Sequence, residues 1–197
     1  MDELSRLSFE QMFERASSTA PSPGGGAVMG LCGMMGVALL LKAARITLKH
    51  REDEALRAAE AEFARLARLL ADDADADAAS FDAYMTAGRL PRGTADETAA
   101  RAEKLGAAAL DSVEVALAAL AHAAEAMAVA RRISGRLSPR MAPDLSGGLA
   151  LLEAVRANAV DNARDSLDRT EGSLRREALA ARLGRLVSET AEAVERD

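Results

Sequence analysis

From Pro21 the chain reads PSPGGG and then, with no polar interruption, AVMGLCGMMGVALLL. The prolines fix a short loop and the glycines leave it free to approach other backbone closely. A helix that is apolar on every side sits at the centre of a fold or in a subunit contact. Gly26, Gly30, Gly33 and Gly36 recur every three to four residues. They lay a smooth stripe along one face and let a second helix come close. Lys42 and Arg45 end the apolar character, and Lys49, His50 and Arg51 close the helix after Leu48. A chain built around such a segment is expected to be a helix bundle.

The remainder agrees. Alanine, the best helix former, fills roughly a quarter of the chain. Aromatic residues make up 3%, with no tryptophan. Small side chains bury little area each, so subunit contacts are expected to supply part of the stability. Apolar spacing predicts helices over Leu7–Ala16, Ala27–Leu48, Glu52–Ala87 (broken near the aspartates), Ala95–Ile133, Asp144–Arg169 and from Ser173 to about Glu192. Thr94 followed by Glu97 fits a capping box. No repeat or domain boundary is visible. The expectation is one all-α domain over residues 1–197, an elongated bundle of about six to seven helices.

Several function classes are disfavoured. Net charge is −6 and no basic tract interleaves with aromatics, which argues against nucleic-acid binding. A single cysteine, Cys32, excludes an intrachain disulfide framework and points to a reducing, cytoplasmic setting. It reads as a small buried hydrophobe. Two histidines, His50 and His122, rule out a histidine-rich metal site, and His122 among alanines suits packing better than catalysis. The start MDELSRLSFE is acidic where a signal peptide is basic, and the short run VALLL does not span a bilayer, so no membrane role is expected.

Four places are able to carry chemistry. The Gly24-Gly25-Gly26 loop opens a helix whose N-terminal N–H groups suit either a ligand or a tight crossing. Asp72, Asp73, Asp75 and Asp77 crowd one stretch, followed by Ser80, Phe81 and Tyr84. Such carboxylates form either a solvated face or a closed site where one holds a raised pKa. Asp144 at a helix start suits a cap. Asn158, Asn162 and Ser166 share a helix face on which asparagine is not favoured unless bonded. Lys42 and Arg45 either snorkel outward or neutralise an anion.

These pieces together resemble a known family. APSPGGG with its glycine-rich helix, DADAASFDAYMTAGRLPR from Asp75 to Arg92, and the region around Asp144 and Asn162 are similar to the three signature blocks of the cyclodeaminase/cyclohydrolase family. This is the C-terminal domain family of formiminotransferase-cyclodeaminase, and the resemblance runs over about residues 6–195. It implies an elongated helical dimer with a cleft shaped partly by the neighbour, and one-carbon tetrahydrofolate derivatives as substrates with no metal or organic cofactor. The expected reaction is that of methenyltetrahydrofolate cyclohydrolase, interconverting 5,10-methenyl- and 10-formyltetrahydrofolate. The alternatives are formiminotetrahydrofolate cyclodeaminase, releasing ammonia, and a non-catalytic helical folate-binding or assembly module.

By the resemblance, Asp75, Asp77 and Asp144 are the catalytic candidates, with Asp75 or Asp77 the proton carrier. Gly24, Gly25, Gly26 and Asn162 would bind substrate, and Arg92, Lys42 or Arg45 would attract the glutamyl tail. Lys42, Pro143, Asp161, Asp165 and Ser166 depart from the family pattern. Those charges are expected either to pair inside the cleft, Lys42 or Arg45 with Asp161 or Asp165, or to lie in more open packing.

Overall fold

The computed structural model describes residues 3–195. Six α-helices run through them: α1 (Phe9–Ala16), α2 (Gly25–Leu48), α3 (Glu54–Gly88), α4 (Ala95–Ile133), α5 (Ala142–Asp168) and α6 (Leu174–Glu195). Single 3-10 turns occupy Leu4–Arg6, Ser134–Arg136 and Pro139–Met141. The all-helical bundle expected from the sequence is therefore the fold.

Caps set most of the helix starts. Ser8 and Gln11 form a reciprocal capping box on α1, and Thr94 and Glu97 form one on α4. Asp53 caps α3 by accepting from the Leu56 N–H. Two details differ from expectation. α3 runs unbroken through its aspartates, because they spread around the helix and bond to different neighbours. Asp144 caps nothing: α5 starts at Ala142, and its N-cap Met141 makes no side-chain cap.

α2, α3, α4 and α5 form an up-down-up-down square. α2 packs on α3 and α5, α4 packs on the same two, and the diagonal pair barely meets. Phe63, Leu66, Leu70, Leu40, Leu152 and Ile133 fill the upper core. Leu110, Val113, Leu117, Leu167, Leu179 and Leu183 form a lower cluster under α6. At 39 residues α4 is about 58 Å long, so the bundle is elongated.

The glycine stripe does what its spacing suggests. A Cβ on Gly30 would lie 2.9 Å from the Ala74 nitrogen and the Leu70 carbonyl on α3. A Cβ on Gly148 of α5 would lie 2.8 Å from the Gly36 carbonyl. Backbone therefore touches backbone along both seams of α2.

One face stays uncovered. Met35 and Ala38 on α2 are exposed, Leu31, Cys32 and Leu39 are half-buried, and Ala150 and Ala154 continue the surface on α5. Cys32 is thus not the buried hydrophobe expected. On α1, Phe9 and Phe13 are 83% and 73% exposed. By length and hydropathy α2 and the Ala95–Arg136 segment are able to cross a bilayer, although the short run VALLL is not. In this fold they are bundle helices, with about half of their most apolar stretches buried (44% and 50%).

Candidate active site

At the lower end of the square, the start of α2 meets the ends of α3 and α5 and the middle of α4. A cavity of about 190 Å³ opens there, partly to solvent. Pro21 and Gly24–Gly26 line it from the loop and α2, and Asp77, Ser80, Phe81 and Tyr84 from α3. Ala109 and Ser112 come from α4; Asn162, Asp165 and Ser166 come from α5, with Arg169 just past its end. The Ser22–Pro23 peptide in the entering loop is cis.

Asp77 is the central group. Gly24 caps α2 with no side chain to offer, so the first N–H groups of α2 need an acceptor from elsewhere. The Asp77 carboxylate fills that role by accepting from the Ala27 N–H. Gly26 makes the approach feasible: a Cβ there would sit 2.1 Å from Asp77 Oδ1. Two effects act on the carboxyl in opposite directions. Burial pushes its pKa up, the Ala27 hydrogen bond pulls it down, and burial wins. Asp77 is thus a half-buried carboxyl, its pKa raised by burial, at the wall of an open cavity. Such a group is able to give and take a proton.

The other walls are polar. Ser112 Oγ lies 3.3 Å from Ser80 Oγ and donates to the Ala108 carbonyl. Asn162 Nδ2 donates to Asn158 Oδ1 at 3.2 Å, which answers why asparagines sit inside a helix. Arg169 pairs with Asp165 at 2.7 Å and lies 5.6 Å over the Tyr84 ring. The cavity thus carries one cationic group, two carboxyls and several neutral donors and acceptors. Among the described residues no cluster of three His, Cys, Asp or Glu is spaced to hold a metal ion.

Of the expected site residues, Gly24, Gly25, Gly26, Asp77 and Asn162 come together here. The others do not. Asp75 points away from the cavity and accepts from the Leu4 N–H at 2.8 Å, tying down the N-terminal turn. Lys42 and Asp144 pair with each other at 2.9 Å near the upper end of the bundle, about 25 Å along α2 from Gly25. Arg45 pairs with Glu60, and Arg92 is exposed in the loop after α3. The pairing of Lys42 or Arg45 with Asp161 or Asp165 is overturned: Asp165 bonds Arg169 within its own chain end, and the two cations lie at the far end. Ser112 and Arg169 were not legible as site residues, since a lone serine in an alanine-rich helix and an arginine after a helix end carry no pattern.

His122 is not an isolated packing residue. Its Nδ1 lies 2.7 Å from Oδ2 of Asp73, which is 7% exposed. The Asp73 hydrogen bond holds the His122 pKa above its ordinary 6.5 despite partial burial. A group raised on folding stabilises most below its unfolded value and loses that stabilisation as pH climbs through its folded value. The melting temperature should therefore fall as pH rises above about 6.5. Asp73→Asn should flatten that slope, as thermal scans across pH would reveal.

Comparison with known proteins identifies the family and the fold. A curated relative, the methenyltetrahydrofolate cyclohydrolase of Methylorubrum extorquens, is 33% identical over 153 residues, covering 74% of this chain and 71% of that protein. The crystal structure of formiminotetrahydrofolate cyclodeaminase from Thermotoga maritima superposes with a TM-score of 0.85 at 20% identity, over 98% of this chain and 95% of that one. The profile of the family described as formiminotransferase-cyclodeaminase matches residues 8–185. The family profile, the shared helical frame and the relative's identity converge, and the chain belongs to the formiminotransferase-cyclodeaminase family.

Proposed function

We propose that this chain is an enzyme acting on the carbon between N5 and N10 of a tetrahydrofolate derivative. Asp77 carries this reading: a carboxyl with a raised pKa, at a helix N-terminus, on an open polar cavity. Ring closure of 5-formiminotetrahydrofolate is the reading we favour, because both the family profile and the similar crystal structure carry the cyclodeaminase description. N10 attacks the formimino carbon and gives a tetrahedral centre. Asp77 passes the N10 proton to the imino nitrogen, and a second proton, taken up from solvent, lets the resulting amine leave as ammonia with the methenyl cation behind. The hydrolase reading expected from the sequence comes second, supported by the Methylorubrum relative. There Asp77, ionised, takes a proton from water attacking the methenyl carbon, and the C–N5 bond then breaks as the new hydroxyl proton passes to N5 and the formyl C=O forms on N10. The binding-module alternative expected charges to close the cleft. Lys42 and Arg45 pair elsewhere, and the space beside Gly24–Gly26 stays open.

Near-ultraviolet absorbance of the methenyl chromophore tests both reactions. Growth of the band from the formimino compound marks the cyclodeaminase, and accelerated decay from the methenyl compound marks the hydrolase. No change above the spontaneous rates in either direction would sink the enzyme reading.

A homodimer in the cytoplasm belongs to the same proposal. The uncovered α2–α5 face suits a second copy, since Leu39 and Gly147 already make one continuous surface. Met35→Glu should convert a dimer to monomers in light scattering, and a monomeric parent protein would overturn the interface.

A further inference from the structure

Both reactions exchange a proton with solvent. Hydrolysis of the methenyl cation releases one. Closing a neutral formimino group to the methenyl cation, with loss of neutral ammonia, takes one up. Bound substrate would cover the cavity mouth, so Asp77 needs a second route to water. Asp73 lies one turn before Asp77 on α3. Both line a second, small cavity of about 10 Å³ between the four helices, together with Asn158 and Asn162. That is about the least space one water needs, and the four polar side chains are the partners such a water needs. Asp73 also bonds His122, whose ring is 23% exposed at the seam of α3 and α4. His122 lies about 15 Å along α4 from Ser112 in the cavity.

We propose that Asp73 and His122 form a proton path from Asp77, through one water held in that small cavity, to solvent at the α3–α4 seam. The inference rests on the folate reading for its purpose, but the connection itself is testable without turnover. Asp73 and, at the surface, Glu125 and Arg65 are the charged groups acting on His122. Glu125 and Arg65 pair with each other, so Asp73 is the inward partner. Protonated His122 donates to Asp73, Asp73 passes a proton to the water, and the water protonates Asp77. The reverse sequence discharges a proton.

His122→Ala should lower kcat about tenfold in dilute buffer with KM unchanged, and added imidazole should restore it. A His122→Ala enzyme with unchanged kcat and no imidazole response overturns the path. The second arm is the His122 pKa read by NMR. Asp73→Asn should drop it toward the ordinary value, and Asp77→Asn should shift it measurably. Asp75→Asn, on the same helix but outside that small cavity, should leave it in place. A His122 pKa indifferent to Asp77→Asn also overturns the path. If the parent protein turns over neither folate, the functional reading fails, and the NMR arm alone decides whether the three groups are linked.

Discussion

Replacing Asp77 with asparagine should reduce turnover of the folate substrate by about 10²–10⁴-fold, the usual range for losing a positioned acid or base. That corresponds to about 3–5 kcal/mol of barrier. Folding should not suffer. The asparagine carbonyl still accepts from Ala27, and the amide adds no atom that Gly26 cannot accommodate. Burial raises the Asp77 pKa, so keeping the carboxyl ionised costs the folded protein stability at pH values above the ordinary carboxylate range. The neutral amide removes that cost. Asp77→Asn should therefore melt no lower than the parent at pH 8, its advantage growing as pH climbs from the ordinary carboxylate range through the folded pKa and staying level above it. Activity and stability thus move in opposite directions, and a purely structural role for Asp77 predicts the reverse. Kinetics beside thermal scans at several pH values separate the two, and an Asp77→Asn protein with near-parent kcat would remove Asp77 from the mechanism.

Legibility in the sequence followed periodicity. Helix positions and the close packing of α2 were readable because apolar spacing and glycine recurrence are local properties. The lower site was readable in part: Gly24–Gly26, Asp77 and Asn162 sit in distinctive local contexts. Choosing between Asp75 and Asp77 was not. They are two residues apart, so the helix turns them about 200° from each other, and only the packing of Leu4 and α2 decides which one faces the cavity. Lys42 and Asp144 share the same lesson. Their spacing from the glycines places them along the helices far from the site, but sequence blocks shared with a family invite grouping them with it. The Asp73–His122 pair was hidden because its partners are 49 residues apart on separate helices.

The second large effect concerns stability. In a helix interior, alanine outranks glycine by about 1 kcal/mol, so Gly→Ala at a spacious position should stabilise. Gly106 on α4 is such a position, with nothing within 4 Å of a built Cβ. Gly106→Ala should gain about 0.5–1 kcal/mol. Gly30 offers the same propensity gain but the opposite packing. Its Cβ would meet the Ala74 nitrogen, the Ala74 Cβ and the Leu70 carbonyl, each at 2.9 Å. Two of those are backbone atoms, so no side chain can swing aside and α2 must move off α3. Forcing an extra carbon into a packed interior costs about 1–3 kcal/mol, and the rigid contacts place Gly30→Ala toward the upper part of that range. The net loss should be about 1–2 kcal/mol after the propensity gain. At about 2–4 °C per kcal/mol for a chain of this size, the melting temperature should fall by several degrees. The displacement would also pull Gly26 away from Asp77, since both lie on the same α2–α3 seam. Gly30→Ala should therefore lose activity as well as stability, while Gly106→Ala keeps the first and gains the second. Equal melting temperatures for the two variants would mean that the α2–α3 backbone contact is looser than the structure has it.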